Sequence, residues 1–398
     1  MKKKILIATF DMEVGGVERS LLSLLENLDY GKFDVDLMLF RHQGDFMSLI
    51  PFQPNLLPEI PQYSTFRKSI KQTMLERHFL IGFSRVFAKV KASIYHRRKK
   101  LEEPGYYQMQ MMWKYALPFM PKLNKNYDIA ISYLWPHYFI ADKVRAKKKI
   151  AWIHTDYSTV ETDVTLDLKM WDKFDHIVAV SEACRDSFLK KYKRLKQKIQ
   201  VMENLTAPDF IYKMCEEYCD NPMEKDNRFK ILTIARLSHA KGIDNAVRAL
   251  NRLIEKRNND IVWYVVGYGG EEEMVKGLIK KYSLENNFIL LGKKVNPYPF
   301  LKACDLYVQP SRYEGKAVTV SEAKVLGKPI LITNYPTAKS QITSGVDGYI
   351  CDLSVEGLVE GIEMLYNNTE SREILRKNLK EFDFNNHEEL KVLYKLIG

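Results

Sequence analysis

Glu314 and Glu322 stand eight positions apart in the stretch Q-P-S-R-Y-E-G-K-A-V-T-V-S-E-A-K-V-L-G-K-P-I-L-I-T-N, residues 309–334. Asp305–Val308 reads as a short strand, Pro310 and Gly315 as loop markers, and Ala317–Leu326 as a buried helix closed by Gly327 and Pro329. Lys328–Thr333 reads as the next strand. In such a unit the amides of Gly315, Lys316 and Ala317 open a helix and offer donors to an anion. Glu314, beside them, suits hydroxyls rather than phosphate. Glu322 lies between Val320 and Val325 on a helix poor in charge, so it is expected to be partly buried and to need partners. Hydroxyls at both ends with negative charge between describe a sugar diphosphate. A solvated loop whose helix happens to carry a carboxylate is the plainer alternative.

Three further groups have chemistry to offer. Arg236 and Lys241 flank the loop A-R-L-S-H-A-K-G-I, past the end of an apolar run. Arginine makes paired hydrogen bonds to phosphate oxygens and lysine supplies a mobile point charge. Gly15-Gly16 separates a first apolar run from a first helical pattern, which lets another group approach the backbone closely. The G-x-G-x-x-G fingerprint of a dinucleotide site is absent there. His154, in W-I-H-T-D, ends another strand-like run, where it serves either a structural hydrogen bond or a ligand. Ser181 reads as a helix N-cap. No Ser/His/Asp triad or metal-ligand cluster is evident, and the five cysteines are scattered and read as reduced thiols.

The run S-R-Y-E-G-x-A-V-T-V-S-E-A followed by G-K-P-I-L-I-T resembles the acidic signature of glycosyltransferase family 4, retaining enzymes of the GT-B fold, of the bacterial polysaccharide and cell-envelope type. G-G-V-E-R-S-L and the R-x4-K spacing of Arg236 and Lys241 are similar to further motifs of that family. Lys316 departs from it, standing where an apolar residue is frequent. The resemblance implies two Rossmann-like domains facing each other across a cleft. It implies transfer of a sugar from a nucleoside diphosphate, in the first instance a UDP-sugar, to a hydroxyl acceptor, without a metal. It assigns Glu322 to the ribose and Glu314 to sugar hydroxyls. Arg236, Lys241 and the backbone at Gly15, Gly16, Gly315, Lys316 and Ala317 go to the diphosphate, and His154 to the donor sugar near the reacting carbon. His154, Glu314, Arg236 and Lys241 are thus the catalytic candidates. A GT-B nucleotide-sugar epimerase and a non-catalytic membrane- or polymer-binding subunit stay open as alternatives.

The elements that must position these residues read as two successive α/β series. Apolar runs at Lys3–Thr9, Phe33–Phe40, Tyr127–Tyr133, Lys149–His154 and His176–Ser181 alternate with helical patterns. A second series begins at Phe229. Buried strands alternating with helices mean a parallel sheet, with ligands beyond the carboxyl ends. The 398 residues suit two domains. We expect an acceptor-binding domain over 1–205 and a nucleotide-sugar domain over 206–381, with a terminal helix at about 382–398 returning to the first.

The formal charge of +11 calls for an anionic partner. Residues 64–100 hold eleven Lys or Arg against one acid, Glu76, nearly the whole excess. Phe79, Phe83, Val86, Phe87, Val90 and Ile94 recur among them at helical spacing. A basic amphipathic helix of this kind lies on an anionic membrane surface, or packs its apolar face on the domain. Nucleic acid is disfavoured for want of a motif. The opening Met1-Lys-Lys-Lys and its short apolar run are too brief for a signal peptide or a span. A cytoplasmic protein, peripheral on the inner face of the cell membrane, with a glycan or lipid-linked acceptor, is the expectation.

Overall fold

A computed structural model describes residues 2–101, 103–256, 260–384 and 388–398. The chain forms two compact units. One comprises the chain up to Glu13, Leu21–Glu203 and the C-terminal helix Glu388–Ile397; the other comprises Val14–Ser20 and the chain from Asn204 up to that helix.

The first unit is built on seven strands: β1 (Lys3–Thr9), β2 (Phe33–Leu39), β3 (Asn55–Leu56), β4 (Asn126–Ser132), β5 (Arg145–Ile153), β6 (His176–Ala179) and β7 (Ile199–Val201). Their order is β3-β2-β1-β4-β5-β6-β7, and every pair is parallel. In β1, residues Ile5 to Thr9 are all buried, because a parallel sheet is covered on both faces. Register sets Ala8 of β1 against Met38 of β2 and Ser132 of β4, so the segments past these strands emerge side by side. Strand order reverses at the β1–β4 junction. In the lead-up to helix Glu182–Lys191, Ser181 caps as read, its hydroxyl accepting from the Cys184 amide.

The second unit repeats the plan with β8 (Phe229–Ile234), β9 (Ile261–Val266), β10 (Phe288–Gly292), β11 (Leu306–Gln309), β12 (Ile330–Thr333) and β13 (Tyr349–Cys351). Their order is β10-β9-β8-β11-β12-β13, again all parallel. Alternation along each strand feeds two cores. Ile231, Trp263, Val265 and Leu306 face one, and Leu232, Val262, Tyr264 and Tyr307 the other. Trp263, fully buried, has its indole N–H satisfied by Thr233 at 3.0 Å. The order reverses between β8 and β11, and a sheet of this class opens its ligand crevice beyond the strand ends at such a point. Arg236 and Lys241 follow β8, and Glu314 follows β11.

The basic segment is divided rather than continuous. Helices Pro61–Ser64 and Ile70–Leu75 precede a long helix, Phe79–Lys99, and Arg77 breaks the run with a left-handed φ of 64°.

Candidate functional site

Glu314 sits in the loop between β11 and the helix Val318–Val325. It is 7% exposed, and both of its oxygens lie 2.6 Å from Lys241 Nζ. Ser311 Oγ donates to Oε1 at 2.7 Å and Gln309 Nε2 at 3.0 Å, while the Thr337 hydroxyl donates to the Glu314 carbonyl at 3.1 Å. Lys241 therefore rests on the carboxylate rather than standing free for phosphate. These donors offset the cost of burying the carboxylate.

Glu322 lies within that helix, 3% exposed. Nη1 of Arg19 stands 2.9 Å from both of its oxygens, and the Tyr298 hydroxyl donates to Oε1 at 2.9 Å. The guanidinium also lies over the Tyr298 ring, 5.1 Å from its centroid. Burial works against the charge on Arg19, but Glu322 and Tyr298 more than offset it, so its pKa is raised. Burial drives the Tyr298 hydroxyl well above the usual phenol range.

The β8 loop is held by backbone contacts that need glycine. Gly242 has φ +63°, and a Cβ there would lie 2.1 Å from the Pro310 carbonyl oxygen. Gly267 has φ +156°, and a Cβ there would meet the Ala235 carbonyl oxygen at 1.8 Å. Arg312 ties the two loops together. It donates to both oxygens of Asp244 at 2.8 and 2.9 Å and to the His239 carbonyl at 2.7 Å, and its amide donates to the Ala240 carbonyl at 2.7 Å. Burial raises the cost of charge on Asp244, yet Arg312 and Arg248 bring its pKa down to about 2. In this setting Arg236 is exposed and has no ion-pair partner among the described residues. It lies close to the first loop: a Cβ on Gly15 would be 3.1 Å from Arg236 Nη2 and 2.3 Å from Glu18 Oε2. A Cβ on Gly16 would be 3.7 Å from Val318, at the start of the Glu322 helix.

The second unit thus gathers Gly15, Gly16, Arg236, Lys241, Glu314, Gly315, Lys316, Ala317 and Glu322 around one strand-order reversal. Gly315 is buried and Lys316 half-buried. The Ala317 amide, read as a donor to an anion, donates to Gln341 Oε1 at 3.1 Å. His154 belongs to the first unit, just past β5. Its ring lies 4.7 Å from that of Tyr133. Burial pushes its pKa down to about 3 against a hydrogen bond to the Tyr133 backbone, and Nε2 is buried without a hydrogen-bond partner. It is a neutral imidazole with one nitrogen to spare. Asp156, two residues on, is buried and accepts from the Ser158 amide at 2.9 Å. No group of three or more His, Cys, Asp or Glu among the described residues could hold a metal ion.

Arg19, Tyr298, Asp244 and Arg312 went unassigned in the sequence. Arg19 lies inside G-G-V-E-R-S-L and Arg312 inside S-R-Y-E-G, but their acids are 303 and 68 residues away, so nothing local marks either pair.

Residues 216–382 match the model of "Glycosyl transferases group 1". An uncharacterized glycosyltransferase of Methanocaldococcus jannaschii is 30% identical over 186 residues, covering 45% of each chain. The poly(glycerol-phosphate) alpha-glucosyltransferase of Bacillus subtilis is 30% identical over 143 residues, 35% of this chain and 21% of that protein. The chain spans 45% to 66% of the length of the first curated relatives it matches. Anabaena HepE, solved with UDP and glucose, superposes with a TM-score of 0.68 at 17% identity, over 99% of both chains. The narrower resemblance, to glycosyltransferase family 4, is corrected by these matches: the model that fits is the group 1 model, and the solved structures support nothing narrower than the architecture they share. That architecture, two Rossmann-like units each with a parallel sheet, is the GT-B fold.

Proposed function

We propose that the chain transfers a sugar from a nucleoside diphosphate, a UDP-sugar, to a hydroxyl acceptor with retention at the anomeric carbon. One observation carries the reading. Arg236, Lys241, Glu314 and Glu322 fall inside the region matching the glycosyl transferase model and converge where the strand order of the second sheet reverses. Arg236 takes the diphosphate, with the backbone at Gly15, Gly16, Gly315 and Lys316. Lys241 turns from Glu314 to the leaving phosphate, where its charge stabilises the developing negative charge. Glu314, so released, accepts from sugar hydroxyls, and Glu322 does the same for the ribose. Neutral His154 gives the sugar a hydrogen bond near the reacting carbon. The bond from the anomeric carbon to phosphate oxygen breaks as the acceptor oxygen bonds to that carbon, and the acceptor proton passes to the leaving phosphate. UDP in the Anabaena HepE structure supports the base, and the alpha linkage in the Bacillus subtilis relative's name supports retention.

The acceptor is read as a lipid-linked or cell-envelope glycan met at the inner face of a membrane. No helix among the described residues is long and apolar enough to cross one. Calorimetry of UDP, GDP and ADP without added metal tests the donor site, on wild type, Glu322→Gln and Arg236→Ala. UDP heat lost in both variants is expected. No nucleotide binding to the wild type would remove the reading.

A further inference from the structure

The long helix Phe79–Lys99 is packed inside out. Toward the protein it buries Ile81, Ser84, Arg85, Ala88 and Ala92, mostly small or polar. Away from it stand Phe79, Phe83, Val86, Val90 and Ile94, each 43% to 65% exposed, while Phe87, 56% exposed, sets its ring edge-to-face against Tyr115 at 4.9 Å. An ordinary surface helix does the reverse. The inner face is fixed, because the Arg85 guanidinium, 7% exposed, donates to the Thr65 carbonyl at 2.5 Å, the Thr73 hydroxyl at 2.9 Å and the Lys68 carbonyl at 2.7 Å. The stacked rings of Tyr95 and Tyr107, 4.1 Å apart, hold the far end to helix Pro104–Ala116. The apolar stripe is thereby committed outward.

At 3.6 residues per turn, Lys89 borders one edge of the stripe, Lys91 and Arg98 the other, and Arg97 closes its end. With Lys99 and Lys100 these six cations are exposed, and none has an acidic partner among the described residues. A stripe of roughly 23 Å along one helix is convex and has no groove to receive a protein knob. Its large side chains flanked by cations match a plane that is apolar beneath and anionic above.

We infer that the outer face of helix Phe79–Lys99 seats the protein on an anionic lipid surface, its aromatic and branched side chains entering the acyl boundary and its Lys and Arg meeting the headgroups. The inference rests on the reading of a lipid-linked acceptor and gives that acceptor a place of encounter. Flotation of the full chain with vesicles of phosphatidylglycerol and phosphatidylcholine, against phosphatidylcholine alone, tests it. Wild type should float with the anionic vesicles only. Phe83→Ser with Val90→Ser, and charge reversal to Glu at Arg97, Arg98, Lys99 and Lys100, should each weaken partition about tenfold or more. UDP heats measured on the same variants should stay at the wild-type value, which separates failure of docking from failure of the donor reading and shows that the variants fold. Equal flotation on both lipids, no flotation, or variants that float like wild type would overturn the inference. So would a wild-type dimer dispersed by Phe83→Ser with Val90→Ser, which would assign the face to a second copy.

Discussion

Removing Arg19 and Glu322 singly and together tests whether the buried pair is coupled as its geometry requires. The two side chains are 10% and 4% exposed, and one guanidinium nitrogen lies 2.9 Å from both carboxylate oxygens. In Arg19→Met, Glu322 keeps only the Tyr298 hydroxyl and must hold a buried charge or take up a proton. In Glu322→Gln, Arg19 is a buried cation that loses its carboxylate counter-charge and keeps Tyr298 beside it. Breaking one side of a buried pair costs about 3–5 kcal/mol, because the survivor stays desolvated without its counter-charge. Each single variant should lose about 3 kcal/mol from the second unit. The double variant should lose little more than either, for a coupling of about 2–3 kcal/mol. Urea unfolding at pH 7, followed by far-ultraviolet circular dichroism, measures all four corners of the cycle. Losses below about 1 kcal/mol in the singles, or losses that simply add in the double, would show that water or another partner carries these charges and would refute the reasoning.

Other outcomes follow from the same geometry. Asp244 has a folded pKa of about 2 against 3.8 when unperturbed. Its contribution is therefore complete above about pH 4 and is lost as pH falls toward 2. After allowance for the partly exposed Arg248 and Arg312, it is worth about 1 kcal/mol, and the stability gap between wild type and Asp244→Asn should narrow by about half as urea midpoints are taken from pH 6 down to pH 3. Gly267→Ala drives a Cβ into the Ala235 carbonyl and should cost more than about 2 kcal/mol and weaken UDP binding, since Arg236 is the next residue. Gly277→Ala, on helix Glu272–Lys281 with nothing within 4 Å of the new Cβ, should instead raise stability by about 0.5–1 kcal/mol in the same assay. His154 should show no titration by proton resonance between pH 8 and pH 5, because burial holds its pKa at about 3; a midpoint near 6.5 would show the ring open to water.

How much of this was legible varied with the range of the signal. The parallel sheets could be read because each strand is a short apolar run between helical patterns, and burial on both faces removes the polar alternation that would have suggested an open sheet. Boundaries moved by a few residues, as at Val318–Val325 against an expected Ala317–Leu326. Glu322 could be expected to be buried from its neighbours, since composition along one helix is local information. Its partner could not, because Arg19 is brought to it only by the fold. The same holds for Lys241, whose charge suggested phosphate while its position places it on Glu314. In residues 64–100 the periodicity showed a two-faced helix but not which face points outward. The buried side follows Ala88, Ala92 and the Arg85 hydrogen bonds, and hydrophobicity alone would have chosen the opposite one.

The pairing of charges resolves a difficulty in the sequence motif itself. Two bare carboxylates beside a helix N-terminus would repel the diphosphate that the amides attract, and repulsion grows where burial lowers the effective dielectric. In the structure neither carboxylate is bare: Glu314 carries Lys241 and Glu322 carries Arg19. Asp244, the third acid in the neighbourhood, carries Arg312. Each of these three acids is matched by a cation, while Arg236 stands exposed near the buried Glu18 beside Gly15, so the site does not hold a desolvated cation waiting for its ligand. On the proposed function, donor binding is then an exchange of partners rather than the filling of an empty charge site. Phosphate replaces carboxylate on Lys241, and hydroxyls replace lysine on Glu314. Such an exchange keeps the number of charge-assisted hydrogen bonds nearly constant. It favours a ligand that brings both groups over one that brings phosphate alone, because phosphate alone would take Lys241 and leave Glu314 buried without a counter-charge.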